Sequence, residues 1–298
     1  MEQLNLNSQK KYQNVTTTVN LKGKEVKVHA LSIGTVAVKK NFKTKNGIGS
    51  LSKINILLGK EYTEYLPIWV WVIEHPEGTI VIDTGENADS LDIDKYLAKE
   101  SFFARYQFKH ACKVKIQPHE ELNQKLNKVN LKVDDVKLVI LTHLHSDHID
   151  GLKFFPKQEI LLGKYEFLHP DNCFTSTLPP WFKPKTVDFL QNRIEVFNLA
   201  YPITQNEDLL LIPTPGHTLG HNSVLLKTDD FDIIFGGDSS YHQDQVIIGE
   251  MAGANTDYNK TKQTYKNFLD YASIRKTIYL PTHDEDAGRR LENKTFLI

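Results

Sequence analysis

Cysteine is almost missing from this chain of 298 residues: only Cys112 and Cys173 occur. Two thiols build neither a disulfide framework nor a cysteine-rich zinc site. Charge of one sign is missing as well. Lys and Arg total 36 against 37 Asp and Glu, a formal net charge of -1. A large nucleic-acid footprint would need a clearly basic domain. Long hydrophobic runs are also missing. The longest strongly apolar stretch covers residues 66–73, far short of the roughly 20 residues that span a bilayer. The first 20 residues are polar and hold no apolar segment of the secretory type. A soluble, cytoplasmic protein that meets neither nucleic acid nor membrane is the expectation. The sequons at Asn14 and Asn259 then read as chance matches. Linkers of Pro, Gly and Ser, low-complexity tracts and long repeats are lacking too.

What is present suffices for a folded core. Hydrophobic residues make up 40%, with 15 Phe and 12 Tyr, which excludes wholesale disorder. The length fits two domains of roughly 150 residues or one large α/β unit. Short apolar runs separated by turn residues read as strands at 26–33, 68–75, 79–83, 136–141, 159–162, 209–212, 223–226, 233–235 and 277–280. Pro76-Glu77-Gly78 reads as a hairpin turn between two of them. Leu122, Leu126 and Val129 share one helical face, as do Tyr258, Thr261, Tyr265, Phe268 and Ala272, with Thr256 as N-cap. Strands fall in both halves and no boundary stands out. The expectation is a single domain over 21–298, two sheet-containing halves packed face to face with helices outside. Residues 1–20 form an arm, either flexible or packed on a partner subunit.

The 12 histidines are the unusual count. Three of them and one Asp fall in Thr142-His143-Leu144-His145-Ser146-Asp147-His148, directly after the apolar run 136–141. In an extended segment, residues two apart point the same way, so His143 and His145 can serve one metal. If the chain then turns into a helix, Asp147 and His148 leave in another direction and can serve a second. Imidazole and carboxylate suit zinc and neighbouring transition metals. His217, Asp238 and His283 each follow an apolar run at a comparable strand end. Ligands at several strand ends converge on one sheet edge, the usual place for α/β sites. A single such histidine is more often structural, but the seven residues together form a ligand set.

These residues resemble the metallo-β-lactamase superfamily, from Asp83-Thr84-Gly85 to His283, and the His-x-His-x-Asp-His motif is its most specific element. The resemblance implies a four-layered αβ/βα sandwich. It implies one metal on His143, His145 and His217, a second on Asp147, His148 and His283, and Asp238 bridging the two. Asp83 is then a buried supporting carboxylate, and His221 a supporting hydrogen-bonding residue.

Fold does not choose among the superfamily's reactions, but four local features narrow them. Asp238 stands where zinc-dependent β-lactamases carry no bridging carboxylate. His145 stands where flavodiiron proteins carry Glu. Only 15 residues, 284–298, follow His283, too few for the glutathione-binding helical domain of glyoxalase II-type thioesterases. Asp238-Ser239-Ser240-Tyr241 is similar to the N-acyl homoserine lactonases, in which this Tyr hydrogen-bonds the substrate carbonyl. Gly216-His217-Thr218-Leu219-Gly220-His221 and Thr282-His283-Asp284 are similar to that branch too.

That resemblance implies lactone ring opening by a metal-bridging hydroxide. Tyr241 and the first metal steady the oxyanion, and Asp147 shuttles the proton to the leaving oxygen. Zinc is the default pair of ions, with iron, manganese and cobalt as alternatives. The substrate is a small lactone with an apolar acyl chain, and a homodimer is a family-style expectation. An apolar trough would draw on Val36, Val38, Phe42, Ile48, Leu51, Ile54, Phe102, Phe103, Phe174 and Trp181, with residues 171–185 as a lid. Two rival enzymes stay open: a broader lactone, carboxylic-ester or thioester hydrolase, and, more distantly, a phosphodiesterase or nuclease. A metal-binding sensor without turnover is the non-enzyme alternative.

Overall fold

The structure, a computed structural model, describes residues 12–47, 59–189 and 194–298. Among the described residues thirteen strands occur in chain order. They are β1 Val15–Leu21, β2 Lys24–Val38, β3 Leu66–His75, β4 Gly78–Ile82, β5 Cys112–Lys115, β6 Val136–Leu141 and β7 Glu159–Gly163. The rest are β8 Lys185–Val187, β9 Tyr201–Pro202, β10 Leu209–Pro213, β11 Asn222–Lys227, β12 Asp232–Gly237 and β13 Thr277–Pro281. An eight-stranded sheet runs β1-β2-β3-β4-β6-β7-β8, with β5 paired to β2. A five-stranded sheet runs β13-β12-β11-β10-β9.

Strand alternation explains the layering. Along β3, Trp69, Trp71 and Ile73 enter the central core, whereas Val70 and Val72 enter a second core on the outer face. Along β10, Leu209 and Leu211 point to the central core and Leu210 and Ile212 away from it. A strand presents successive side chains to opposite faces, so an unbroken apolar strand must be covered on both. Trp71 stacks on Trp69 at 6.0 Å and meets Phe235 of the other sheet at 5.5 Å. Each fully buried large side chain of this kind stabilises the fold by about 1.5–3 kcal/mol. The outer cores are closed by helices. Leu122 and Leu126 of Leu122–Lys128 cover the larger sheet, and Tyr265, Phe268 and Tyr271 of Tyr258–Ile274 cover the smaller one. The result is the αβ/βα sandwich expected from the resemblance.

Three details differ from the sequence reading. Val15–Leu21, of which all but Leu21 was expected within the arm, is strand β1, paired residue by residue with β2; residues 1–11 lie outside the described part. The N-cap of Tyr258–Ile274 is Asp257, not Thr256. Asp257 accepts from the N–H groups of Asn259 and Lys260, and the Thr256 hydroxyl is engaged instead with Asp171. Asp83 lies just past β4, with φ +60°, rather than inside the strand.

The two ends of the sandwich are built differently. At one end polar side chains join the sheets: Asp229 accepts from the N–H groups of Lys22 and Gly23, and Asp208 pairs with buried His75. At the opposite end lie the C-terminal ends of β4, β6, β12 and β13, where β4 runs parallel to β6 and β12 to β13.

Candidate metal centre

Each ligand candidate leaves a strand at that second end. His143 and His145 follow β6, and Asp147 and His148 lie on the short helix Ser146–Ile149. His217 follows β10, Asp238 follows β12 and His283 follows β13. Gly237 supplies the turn before Asp238: its φ is +54°, and a Cβ there would sit 2.6 Å from His221 Nε2.

The seven side chains form two groups. Donor atoms of His143, His145, His217 and Asp238 all lie within 4.8 Å of one another, as do those of Asp147, His148 and His283. Asp238 spans both: its carboxylate lies 3.5 Å from His217 Nε2, 3.2 Å from His148 Nε2 and 3.3 Å from His283 Nε2. Asp147 lies 3.3 Å from His283 Nε2 and 3.8 Å from His148 Nε2.

Hydrogen bonds from behind fix the tautomers. The Thr142 hydroxyl donates to Asp83, so it accepts from His143 Nδ1–H at 3.0 Å. His145 donates from Nε2 to the carbonyl of Asp171 at 3.1 Å. His148 donates from Nδ1 to Asp83 at 2.8 Å, and His283 from Nδ1 to the carbonyl of Pro67 at 2.9 Å. Outer partners of this kind orient metal-binding imidazoles. They leave His143 Nε2 and His145 Nδ1 as bare lone pairs facing each other at 3.0 Å. His217 Nε2 comes within 2.9 Å of the same His145 atom. The facing lone pairs of His143 and His145, with no proton between them, call for a cation, with His217 beside them. The buried oxygen Asp238 Oδ1 and the nitrogen His148 Nε2 face each other at 3.2 Å. The donor set therefore fits two divalent ions of the zinc type.

The local charges agree. Burial, with repulsion from neighbouring imidazoles, pushes His143 well below the usual histidine range, and burial likewise lowers His145 and His217. Burial also acts against protonated His283, but Asp238 and Asp147 outweigh it and hold it up at about 10. For His148, Asp238, Asp83 and Asp147 outweigh burial in the same direction. Asp147 falls to about 2: burial opposes this, but His148 and His283 prevail.

Tyr241 is buried and its ring stacks on His283 at 5.6 Å. Burial, then Asp238 and Asp147, push its hydroxyl well above the usual tyrosine range, so it stays protonated as a donor. His221 is fully buried behind Asp238. Its Nε2 accepts from the Asp238 N–H at 3.0 Å, so its Nδ1–H faces the Thr214 hydroxyl at 2.9 Å. Burial lowers it to about 3.

Several residues here carried no sequence signal. Glu166 accepts from Leu144 N–H and the Thr218 hydroxyl. Gln245 accepts from Tyr241 N–H at 2.9 Å and donates to the carbonyl of Lys43 at 2.7 Å. Asp171, which holds His145, opens the expected lid and is anchored by Thr256. Lone acids or amides in short helices and loops show no period and no spacing, so only contact reveals them.

The trough candidates scatter. Val36, Val38 and Phe42 pack with Tyr241, Leu66 and Ile68; Val36 and Val38 are buried and support the tyrosine rather than wall an open groove. Ile48, Leu51 and Ile54 lie outside the described residues. Phe102 and Phe103 are exposed on Phe102–Ala111, Phe174 packs edge-on against Phe108 at 5.3 Å, and Trp181 is partly exposed. A cavity of about 780 Å³ is lined by Lys40, Lys43, Thr63, Leu66, His242 and Glu285 among others. No described helix is long and apolar enough to cross a membrane.

Comparisons with known proteins agree with this geometry. The family model of the metallo-β-lactamase superfamily matches residues 64–283. N-acyl homoserine lactonase AiiA of Bacillus thuringiensis subsp. kurstaki is 24% identical over 237 residues, covering 78% of this chain and 87% of that protein. The N-acyl homoserine lactonase of Bacillus cereus is 25% identical over 242 residues, with 78% and 87% covered. A solved structure of a Bacillus thuringiensis AiiA variant, with N-decanoyl-L-homoserine bound at its active site, superimposes with a TM-score of 0.69 at 19% identity, covering 90% of this chain and 94% of that one. A probable metal-dependent hydrolase from Staphylococcus aureus gives 0.64 at 16% identity, covering 90% and 91%. With the sandwich, the strand-end ligands and a family match across residues 64–283, the chain belongs to the metallo-β-lactamase superfamily of hydrolases.

Proposed function

We propose that this protein is a two-metal lactonase that opens the ring of N-acyl homoserine lactones. The observation that carries the reading is the joint arrangement of seven inward-facing ligands and a protonated Tyr241 stacked on one of them. The lactonases among its relatives support the substrate class. His143, His145 and His217 would hold one ion, Asp147, His148 and His283 the other, and Asp238 both. Two divalent ions in such a site supply hydroxide at neutral pH and a Lewis acid for the carbonyl.

The chain's own residues supply the rest. Two ligand carboxylates against four cationic charges leave the pocket electropositive, which favours the oxyanion over the neutral ester. Tyr241 donates its O–H to the carbonyl oxygen as charge builds there; one well-placed donor contributes about 2.7–4 kcal/mol. Asp147, with a side chain 18% exposed, is the ligand carboxylate most open to solvent. It carries a proton to the ring oxygen as the acyl C–O bond breaks, giving the ring-opened acyl homoserine. The mobile-phase partner is thus a small lactone, with Phe102, Phe103 and Phe174 offered to its acyl chain.

The test is acid release from N-hexanoyl- and N-decanoyl-homoserine lactone by zinc-loaded protein, beside a phosphodiester and a thioester substrate. Lactone turnover at least tenfold above the others is expected. Two bound zinc ions with phosphodiester or thioester turnover and none on lactones would overturn the reading.

A further inference from the structure

Glu166 lies outside the ligand set, yet it is fully buried, with no exposed surface. Its Oε1 accepts from Leu144 N–H at 3.1 Å, and its Oε2 from the Thr218 hydroxyl at 2.7 Å. The backbone of Gly220 donates to it as well. Leu144 stands between His143 and His145, and Thr218 follows His217. One carboxylate therefore joins the two separate chain segments that carry all three histidines of the first group. No cation pairs with it among the described residues. A buried carboxylate held only by neutral donors is costly, and a site that needed mere filling would take an apolar side chain. Its fit is close: a Cβ at Gly220 would lie 2.8 Å from Glu166 Oε2.

We propose that Glu166 is a positioning residue that sets the separation of the His143–His145 segment from the His217 segment, and so the affinity of the first metal position. The inference rests on the assignment of His143, His145 and His217 to one ion. Supporting hydrogen bonds around metal ligands change affinity by about 10–100-fold when removed. The effect should fall on one position rather than the other, because among the described residues no hydrogen bond or ion pair joins Glu166 to Asp147, His148 or His283, while its partners flank His143, His145 and His217.

The experiment is zinc binding to metal-free protein, in competition with a chromophoric chelator, with no substrate present. Wild type should show two zinc equivalents. Glu166→Ala should weaken one of them by about 10–100-fold, the same one weakened by His217→Ala, and leave the other unchanged. Glu166→Gln keeps an acceptor for Leu144 and a partner for Thr218, so it should recover much of the loss. Thr218→Val should weaken the same position, and Thr218→Ser should restore it; this pair decides the matter if Glu166→Ala does not fold. Unchanged zinc affinities in a merely less stable protein would overturn the proposal, as would equal weakening of both positions. Fewer than two equivalents in wild type would overturn the ligand assignment itself, a failure visible before any variant is made.

Discussion

The two groups of ligands are buried to a similar degree but prepared in opposite ways. Behind His143 and His145 stand a hydroxyl and a carbonyl, and these imidazoles are neutral. Behind His148 stands the carboxylate of Asp83, with Asp147 and Asp238 in front, and these carboxylates favour the protonated forms of both His148 and His283. A cation entering the first group meets lone pairs already bare. A cation entering the second must displace protons. Geometry alone does not show this difference, and it gives the two positions different dependence on pH.

Changing Asp238 to Asn should break the comparison most completely, because this carboxylate serves both groups. Removing one partner from a buried charged arrangement costs about 3–5 kcal/mol. We expect Asp238→Asn to lose at least one zinc equivalent and roughly 1,000-fold in kcat/KM, measured by metal analysis and acid release. Tyr241→Phe should keep both groups metallated and lower kcat by about 100-fold; unchanged turnover would remove Tyr241 from the reaction. Asp83→Asn touches the second group directly, through His148, and the first only through Thr142. It should weaken the second zinc position by about 10–100-fold and the first by less, in the same chelator competition.

Subtler effects sharpen the contrast. Zinc added to metal-free protein at neutral pH should release protons at the second position, and calorimetry in buffers of different ionisation enthalpy reads that number. His283, at about 10, is protonated well above the ordinary histidine range, so affinity there should rise with pH. The smallest effect concerns His221. Its folded value of about 3 lies below the ordinary 6.5. The neutral ring therefore stabilises the fold above pH 6.5, and that contribution is lost as pH falls from 6.5 towards 3. Thermal melts of His221→Gln should show a shallower acid limb than wild type; identical limbs would refute this.

The candidate ligands could be picked out because they are clustered or sit at strand ends, and strand ends can be read from apolar runs. Seven residues expected at one centre are brought together there. The layers were legible for the same reason, since runs such as 136–141 and 209–212 must be covered on both faces. The supports were legible only in part. Asp83 and His221 were expected from the resemblance, but Glu166 meets Thr218 across 52 positions, a pair that leaves no mark in local sequence. β1 was missed because its polar residues alternate on an exposed face, with burial beginning at Val19 and Leu21. The expected trough failed in part because apolar residues near a site also serve to hold it, as Val36 and Val38 hold Tyr241.

The sandwich is pinned differently at its two ends, and this sets where the chain can open. At one end Asp229, His75 and Asp208 join the sheets with hydrogen bonds that need no ion. At the other, β6, β10, β12 and β13 deliver a cluster of histidines whose imidazoles repel one another and two carboxylates that cations would join. Chelation should therefore leave amide exchange slow around Asp229 and Asp208 and raise it first in the segments carrying His145, His217 and Asp238. The free energy of that local opening becomes a function of metal concentration, while the far end keeps its own.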